Sequence, residues 1–102
     1  MSRAMPGRTC YIVSYDIRDP KRLRETRRMM MGFGDPLHYS VFRCDLPPQG
    51  RVELVAAITD VIKHDEDRVM IVDLGPAGSA VEKRIEFLGV RPSETEHNAV
   101  IA

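Results

Sequence analysis

Apolar positions along the chain change their period several times, and each change marks an element. The run "CYIVSYDI" (10–17) is apolar or aromatic at nearly every position and rich in β-branched residues, the composition of a central strand covered on both faces. Asp16 falls at its C-terminal end. From Asp19-Pro20 the pattern turns helical. An Asp side chain accepts from the free N–H groups of a first turn, and Pro at the first helical position gives up only a donor that has no partner there. The spacing predicts a helix over 20–32 with Leu23, Thr26 and Met30 on one face and Gly32 and Gly34 at its end. Within it, Met29-Met30-Met31 reads as adaptable core filler.

The segment "LHYSVFRCDL" (37–46) has strand composition and fits either one strand bulged near Ser40 or two short strands about a tight reversal there. After Pro47-Pro48, residues 49–63 place Val52, Val55, Ile58 and Ile62 on one helical face and turn Glu53, Asp60 and Lys63 outward. The acidic turn "HDEDR" leads to the apolar strand "VMIVDL" (69–74), "GPAGS" (75–79) reads as loop, and the second half of "VEKRIEFLGV" reads as a further strand. Residues 1–9 have no period and contain Pro6 and Gly7, so they read as a mobile leader with structure beginning at Cys10. The polar stretch after residue 90 ends in "AVIA" (99–102), an apolar segment expected to pair with an edge strand, such as that of a second copy.

The order strand, helix, strand or hairpin, helix, strand, strand predicts one α+β domain, a ferredoxin-like plait (βαββαβ) of two helices on one sheet face with an extra C-terminal strand. That fold hosts many unrelated functions, so the activity has to be read from particular residues.

Composition adds limits. Apolar residues make up 43% and charged residues 29% of 102, ordinary for a globular chain. No apolar run approaches the roughly 18–20 residues that cross a bilayer, and no secretory-type apolar stretch opens the chain, which predicts a cytoplasmic protein without membrane contact. Cys10 and Cys44 lie inside apolar segments and predict buried, reduced thiols.

A formal net charge of zero conceals an asymmetry of +5 over residues 1–51 (ten Lys/Arg, five Asp/Glu) and −5 over 52–102 (five and ten). Lys21, Arg24 and Arg28 form a row at i, i+3, i+7 of the first helix, with Arg18, Arg22 and Arg27 beside them. Such a row can track phosphates, and its six cations exceed what solubility needs. Arg43 and Arg51 are weaker candidates, and His38 is a candidate proton shuttle as well as an ordinary strand histidine. His64 and His97 sit in polar segments and carry no chemistry. Asp16 closes a buried-type strand, where a carboxylate is costly unless it caps a turn, pairs or binds a metal.

Three segments in order, "YIVSYDIRDPKRLR", "HYSVFRCDL" and "VMIVDLG", resemble the CRISPR-associated protein 2 family, most specifically at Tyr15-Asp16-Ile17 and Ser40-Val41-Phe42. The resemblance implies a ferredoxin-like homodimer with a C-terminal strand packed on the partner's sheet; Ser40 and Phe42, which match its motif, are candidates for the dimer interface, Phe42 for packing or dimerisation. It implies partnership with the integrase CRISPR-associated protein 1 in spacer acquisition, and binding of duplex DNA. It also implies a magnesium-dependent endonuclease on RNA or DNA, with Mg2+ held by Asp16 as the catalytic residue. Alternatives are a DNA-binding scaffold without catalysis, a toxin-like ribonuclease of the same fold and a small-molecule sensor on the same plait. His38 and Arg43 depart from the family, which often has Gln and an acidic residue at these places.

Overall fold

The computed structural model describes residues 4–92, with side chains from residue 7 onward. In chain order the elements are β1 (Ala4–Asp16), α1 (Pro20–Met30), β2 (Asp35–His38), β3 (Val41–Leu46), α2 (Pro48–Val61), β4 (Arg68–Gly78) and the single turn α3 (Ser79–Glu82). The strands make one four-stranded sheet in the order β2-β3-β1-β4, and every neighbouring pair is antiparallel.

Side-chain alternation along the strands decides what each sheet face carries. Tyr11, Val13 and Tyr15 of β1, with Phe42, Cys44 and Leu46 of β3, are buried in one cluster with Met30 of α1 and Leu54 and Ile58 of α2. Val69 and Ile71 of β4 and Leu23 of α1 pack against that cluster. Each large apolar side chain so buried stabilises the fold by roughly 1.5–3 kcal/mol. The Tyr15 and Phe42 rings lie nearly parallel, 6.3 Å apart. Thr26 is buried in the same helix face and donates its hydroxyl to the Arg22 carbonyl at 2.8 Å.

Helix α1 begins as its sequence dictates. Asp19 is extended, and its Oδ2 accepts from the Arg22 N–H at 2.8 Å. The helix stops at Met30, whose carbonyl accepts from the Phe33 and Gly34 amides. Glycine is required at position 34 by close approach: a Cβ there would run into the Arg43 carbonyl and lie 2.7 Å from Cys44 Sγ. Residues 37–46 resolve into a hairpin, with Tyr39 and Ser40 as the reversal between β2 and β3. Pro36 is tolerated because β2 is an edge strand.

The structure corrects four expectations. Strand β1 starts at Ala4, within the expected leader, and pairs Ala4 with Gly78 and Thr9 with Pro76 across register shifts. Its partner is the "GPAG" part of the expected loop, which instead extends β4 to Gly78. Two stretches that each look like loop because of Pro and Gly supply each other's backbone partners. The expected strand within 81–90 is replaced by α3 and irregular chain. There Ile85 packs against the second cluster of Cys10, Ala77 and Val81, and the Phe87 ring meets His38 edge-on at 6.4 Å. In α2 the buried positions are Leu54 and Ile58, while Val52 is 60% exposed. Of the expected face Ile58 is buried, Ile62 packs against the core and Val55 is half-buried, so the spacing misplaced Val52 and missed Leu54. "AVIA" and His97 lie outside the described residues.

Candidate nucleic-acid and metal site

Asp16 ends the strand that sits between two neighbours, and its side chain is exposed. Because Tyr11, Val13 and Tyr15 point toward the helices, Ile12, Ser14 and Asp16 point to the opposite sheet face. On that face Ser14 lies opposite Met70, which is 59% exposed, and Asp16 lies opposite Arg68. Among the described residues no side chain or amide hydrogen-bonds or ion-pairs with the Asp16 carboxylate. Helix capping, the ordinary structural use of an aspartate here, is performed by Asp19. Nor does a second ligand set accompany Asp16: no group of three His, Cys, Asp or Glu among the described residues could hold a metal ion.

Tyr15, one residue before, is tied to the hairpin. Its amide donates to the Ser40 carbonyl at 3.1 Å and its hydroxyl to the Tyr39 carbonyl at 3.3 Å. Burial pushes the Tyr15 phenol up to about 12, so it stays protonated and remains a donor at neutral pH. Phe42 is fully buried within the protomer, where it packs in the core. Ser40 is half-buried, its carbonyl engaged by Tyr15.

The six candidate cations divide into two groups. Lys21, Arg24 and Arg28 are exposed along α1, as is Arg18 before it, and no ion pair holds any of these four among the described residues. Arg22 and Arg27 are turned to internal work. Arg22 Nε donates to Asp67 Oδ2 at 2.6 Å and its Nη2 reaches Asp67 Oδ1 at 3.1 Å and Glu66 at 3.3 Å. Arg27 Nη1 donates to the Tyr39 carbonyl at 2.7 Å, and its guanidinium lies over the Tyr39 ring at 4.6 Å. Of the weaker candidates, Arg43 pairs with Asp45 at 3.3 Å and Glu82 at 3.6 Å, and Arg51 lies over the Tyr11 ring at 5.7 Å. His38 is exposed at the end of β2 against Phe87.

Two residues of this region carried no signal of their own in the sequence. Asp67 is one of three acids in "HDED", yet only its side chain is closed off from solvent and accepts from Arg22 and from the Arg18 and Lys63 amides. Tyr39 reads as a strand residue but stands at the reversal with 55% of its surface exposed.

Comparison with known proteins bears on this geometry. A chain from Geobacter sulfurreducens named CRISPR-associated endoribonuclease Cas2 is 44% identical over 79 residues, 78% of this chain and 82% of that one. One from Rhodospirillum rubrum, CRISPR-associated endoribonuclease Cas2 1, is 37% identical over 91 residues, 89% and 88% of the two chains. Among solved structures, Streptococcus pyogenes Cas2 superposes with a TM-score of 0.70 and 28% identity, covering 78% of this chain and 99% of that one. The profile of the family described as CRISPR associated protein Cas2 matches residues 9–79, from within β1 to the first residue of α3, and this chain belongs to that family.

Proposed function

We propose that this chain is a nuclease of CRISPR adaptation, a homodimeric ferredoxin-like plait that binds duplex DNA or RNA, partners the integrase CRISPR-associated protein 1, and cleaves phosphodiesters with magnesium at Asp16. The observation that carries the reading is Asp16 itself: an exposed carboxylate with no partner among the described residues, at the end of an interior strand, on the sheet face away from α1 and α2. The relatives' name, endoribonuclease, supports the reaction class. The sheet order β2-β3-β1-β4 supports the plait.

The donor chemistry of Asp16 suits magnesium, a hard cation that keeps several waters and takes one or two carboxylates plus phosphate oxygens. A protomer contributes one such carboxylate, and a two-fold axis beside the helix-free face would bring in its copy. Bound there, magnesium would supply Lewis-acid polarisation of a phosphate oxygen and a lowered water pKa. The chain's own residues do the positioning. Tyr15 holds the end of β1 to the β2–β3 reversal through two hydrogen bonds. Lys21, Arg24 and Arg28 offer three exposed cations for backbone phosphates.

The test is cleavage of end-labelled duplex DNA and single-stranded RNA by the wild type and Asp16→Ala, with magnesium or with EDTA, at matched folding and dimerisation. Magnesium-dependent cutting that the substitution abolishes supports the reading. A folded wild type that binds DNA in a salt-sensitive way but cuts neither substrate refutes the nuclease and leaves a scaffold.

A further inference from the structure

We propose that Tyr39 is a stacking subsite for an unpaired base of the bound nucleic acid, an inference that rests on the nucleic-acid reading above and narrows its ligand to one with single-stranded nucleotides. The first observation is exposure. Tyr39 is 55% exposed, whereas Tyr11 and Tyr15 are 7% and 4% exposed. A solitary exposed aromatic is common and carries nothing by itself.

What sets Tyr39 apart is its mounting. Its carbonyl accepts from Arg27 Nη1 at 2.7 Å and from the Tyr15 hydroxyl at 3.3 Å, and the next carbonyl, that of Ser40, accepts from the Tyr15 amide at 3.1 Å. Three hydrogen bonds therefore fix this two-residue reversal to β1 and α1. The Arg27 guanidinium lies 4.6 Å from the ring centroid, so one π face is covered by a cation and the exposed area is available to a second planar group.

Position and charge identify that group. Two of the three bonds come from Tyr15, the residue that precedes Asp16, so the reversal that carries Tyr39 is held to the end of β1, with the Tyr15 side chain and Arg27 on the helix-bearing side of the sheet and Asp16 on the other. Arg24, one turn before Arg27 on the same side of α1, is exposed and without an ion pair among the described residues. A π face with a free cation on the helix that supports it is the combination by which proteins hold single strands, the base on the ring and its phosphate on the cation. Bases inside a duplex already stack on each other and offer no free face, so the occupant is an unpaired nucleotide.

The experiment measures binding of a fluorescent single-stranded RNA and of a blunt duplex of equal length to the full chain, with catalysis suppressed by EDTA, for the wild type, Tyr39→Phe, Tyr39→Leu and Tyr39→Ala. Tyr39→Ala and Tyr39→Leu are expected to lose about 5- to 150-fold in single-strand affinity, the effect of one stacked base, and Tyr39→Phe to stay near the wild type. Duplex affinity should not move. Equal single-strand binding by Tyr39→Ala, or wild-type binding by Tyr39→Leu, overturns the stacking subsite, as does an equal loss on the duplex. If the wild type binds duplex but no single strand, the subsite falls while the nucleic-acid reading stands. Binding of neither overturns both.

Discussion

Arg22 Nε and Asp67 Oδ2 meet at 2.6 Å with the Asp67 side chain closed off from solvent. The same carboxylate accepts from the Arg18 amide at 3.0 Å and the Lys63 amide at 2.8 Å, so one side chain joins the β1–α1 connection, the first turn of α1 and the α2–β4 turn. The hydrogen bond from Arg22, opposed by burial and aided by the two amides, holds the Asp67 carboxyl well below the usual carboxylate range. A folded-state pKa below the unfolded one contributes stability that is fully present above the unfolded value of about 3.9 and is lost as pH falls through the folded value. Thermal unfolding across an acid series should show Asp67→Asn less stable than the wild type near neutrality, with a shallower further loss in acid. Superimposable curves would remove Asp67 from this role.

Arg22 and the outward row should behave differently. Replacing Arg24 and Arg28 together by Gln is expected to flatten the salt dependence of duplex DNA binding by about 1.8 in slope, about 0.9 per lost phosphate contact, with Tm unchanged. Arg22→Gln should instead lower Tm, because its partner Asp67 is left buried and unpaired. Anisotropy titrations over a salt series check the first statement, and a melt checks the second.

Leu54 and Val52 test which face of α2 is inside. Leu54 is fully buried and Val52 is 60% exposed. Leu54→Ala should cost about 2–5 kcal/mol, whereas Val52→Ser should stay within about 0.5 kcal/mol. Urea unfolding that ranks them the other way would restore the face read from spacing.

Gly34→Ala should destabilise by about 1–3 kcal/mol or more, since the added methyl meets backbone, the Arg43 carbonyl, as well as Cys44 Sγ, and a strand backbone cannot rotate away. Gly32→Ala is the control: its Cβ would come no closer than 3.3 Å, to the Met29 carbonyl. Chemical denaturation of the pair checks the contrast.

Burial pushes the Cys10 thiol up to about 11 and the Cys44 thiol up to about 12. Both should resist alkylation in the native protein at mildly alkaline pH and react together once it is denatured, because the thiolate is the nucleophile. Rapid native labelling of either would contradict their burial.

The first strand from Cys10, the start of α1 at Asp19-Pro20 and the methionine packing were legible because each rests on local chemistry: β-branched runs, a capping carboxylate, a 3.6-residue period. Asp16 and the row Lys21, Arg24, Arg28 were legible for the same reason, as charges at defined places on a strand end and a helix face. The hairpin at Tyr39-Ser40 was open between two local solutions, and pairing with β1 selected one.

By itself, then, the sequence determined the main elements from Cys10 to Leu74, their order and which chemistry-bearing residues stand at their ends, because those depend on neighbours a few residues away. Tertiary structure alone decided that 4–9 and 75–78 become strand, since these Pro- and Gly-containing stretches pair with each other from about seventy positions apart in the chain. It also decided that Arg22 and Arg27 turn inward, to Asp67 and to Tyr39, while Arg24 and Arg28 remain outside. Charge is a property of the residue, but whether that charge is paired depends on what the fold brings within hydrogen-bond reach.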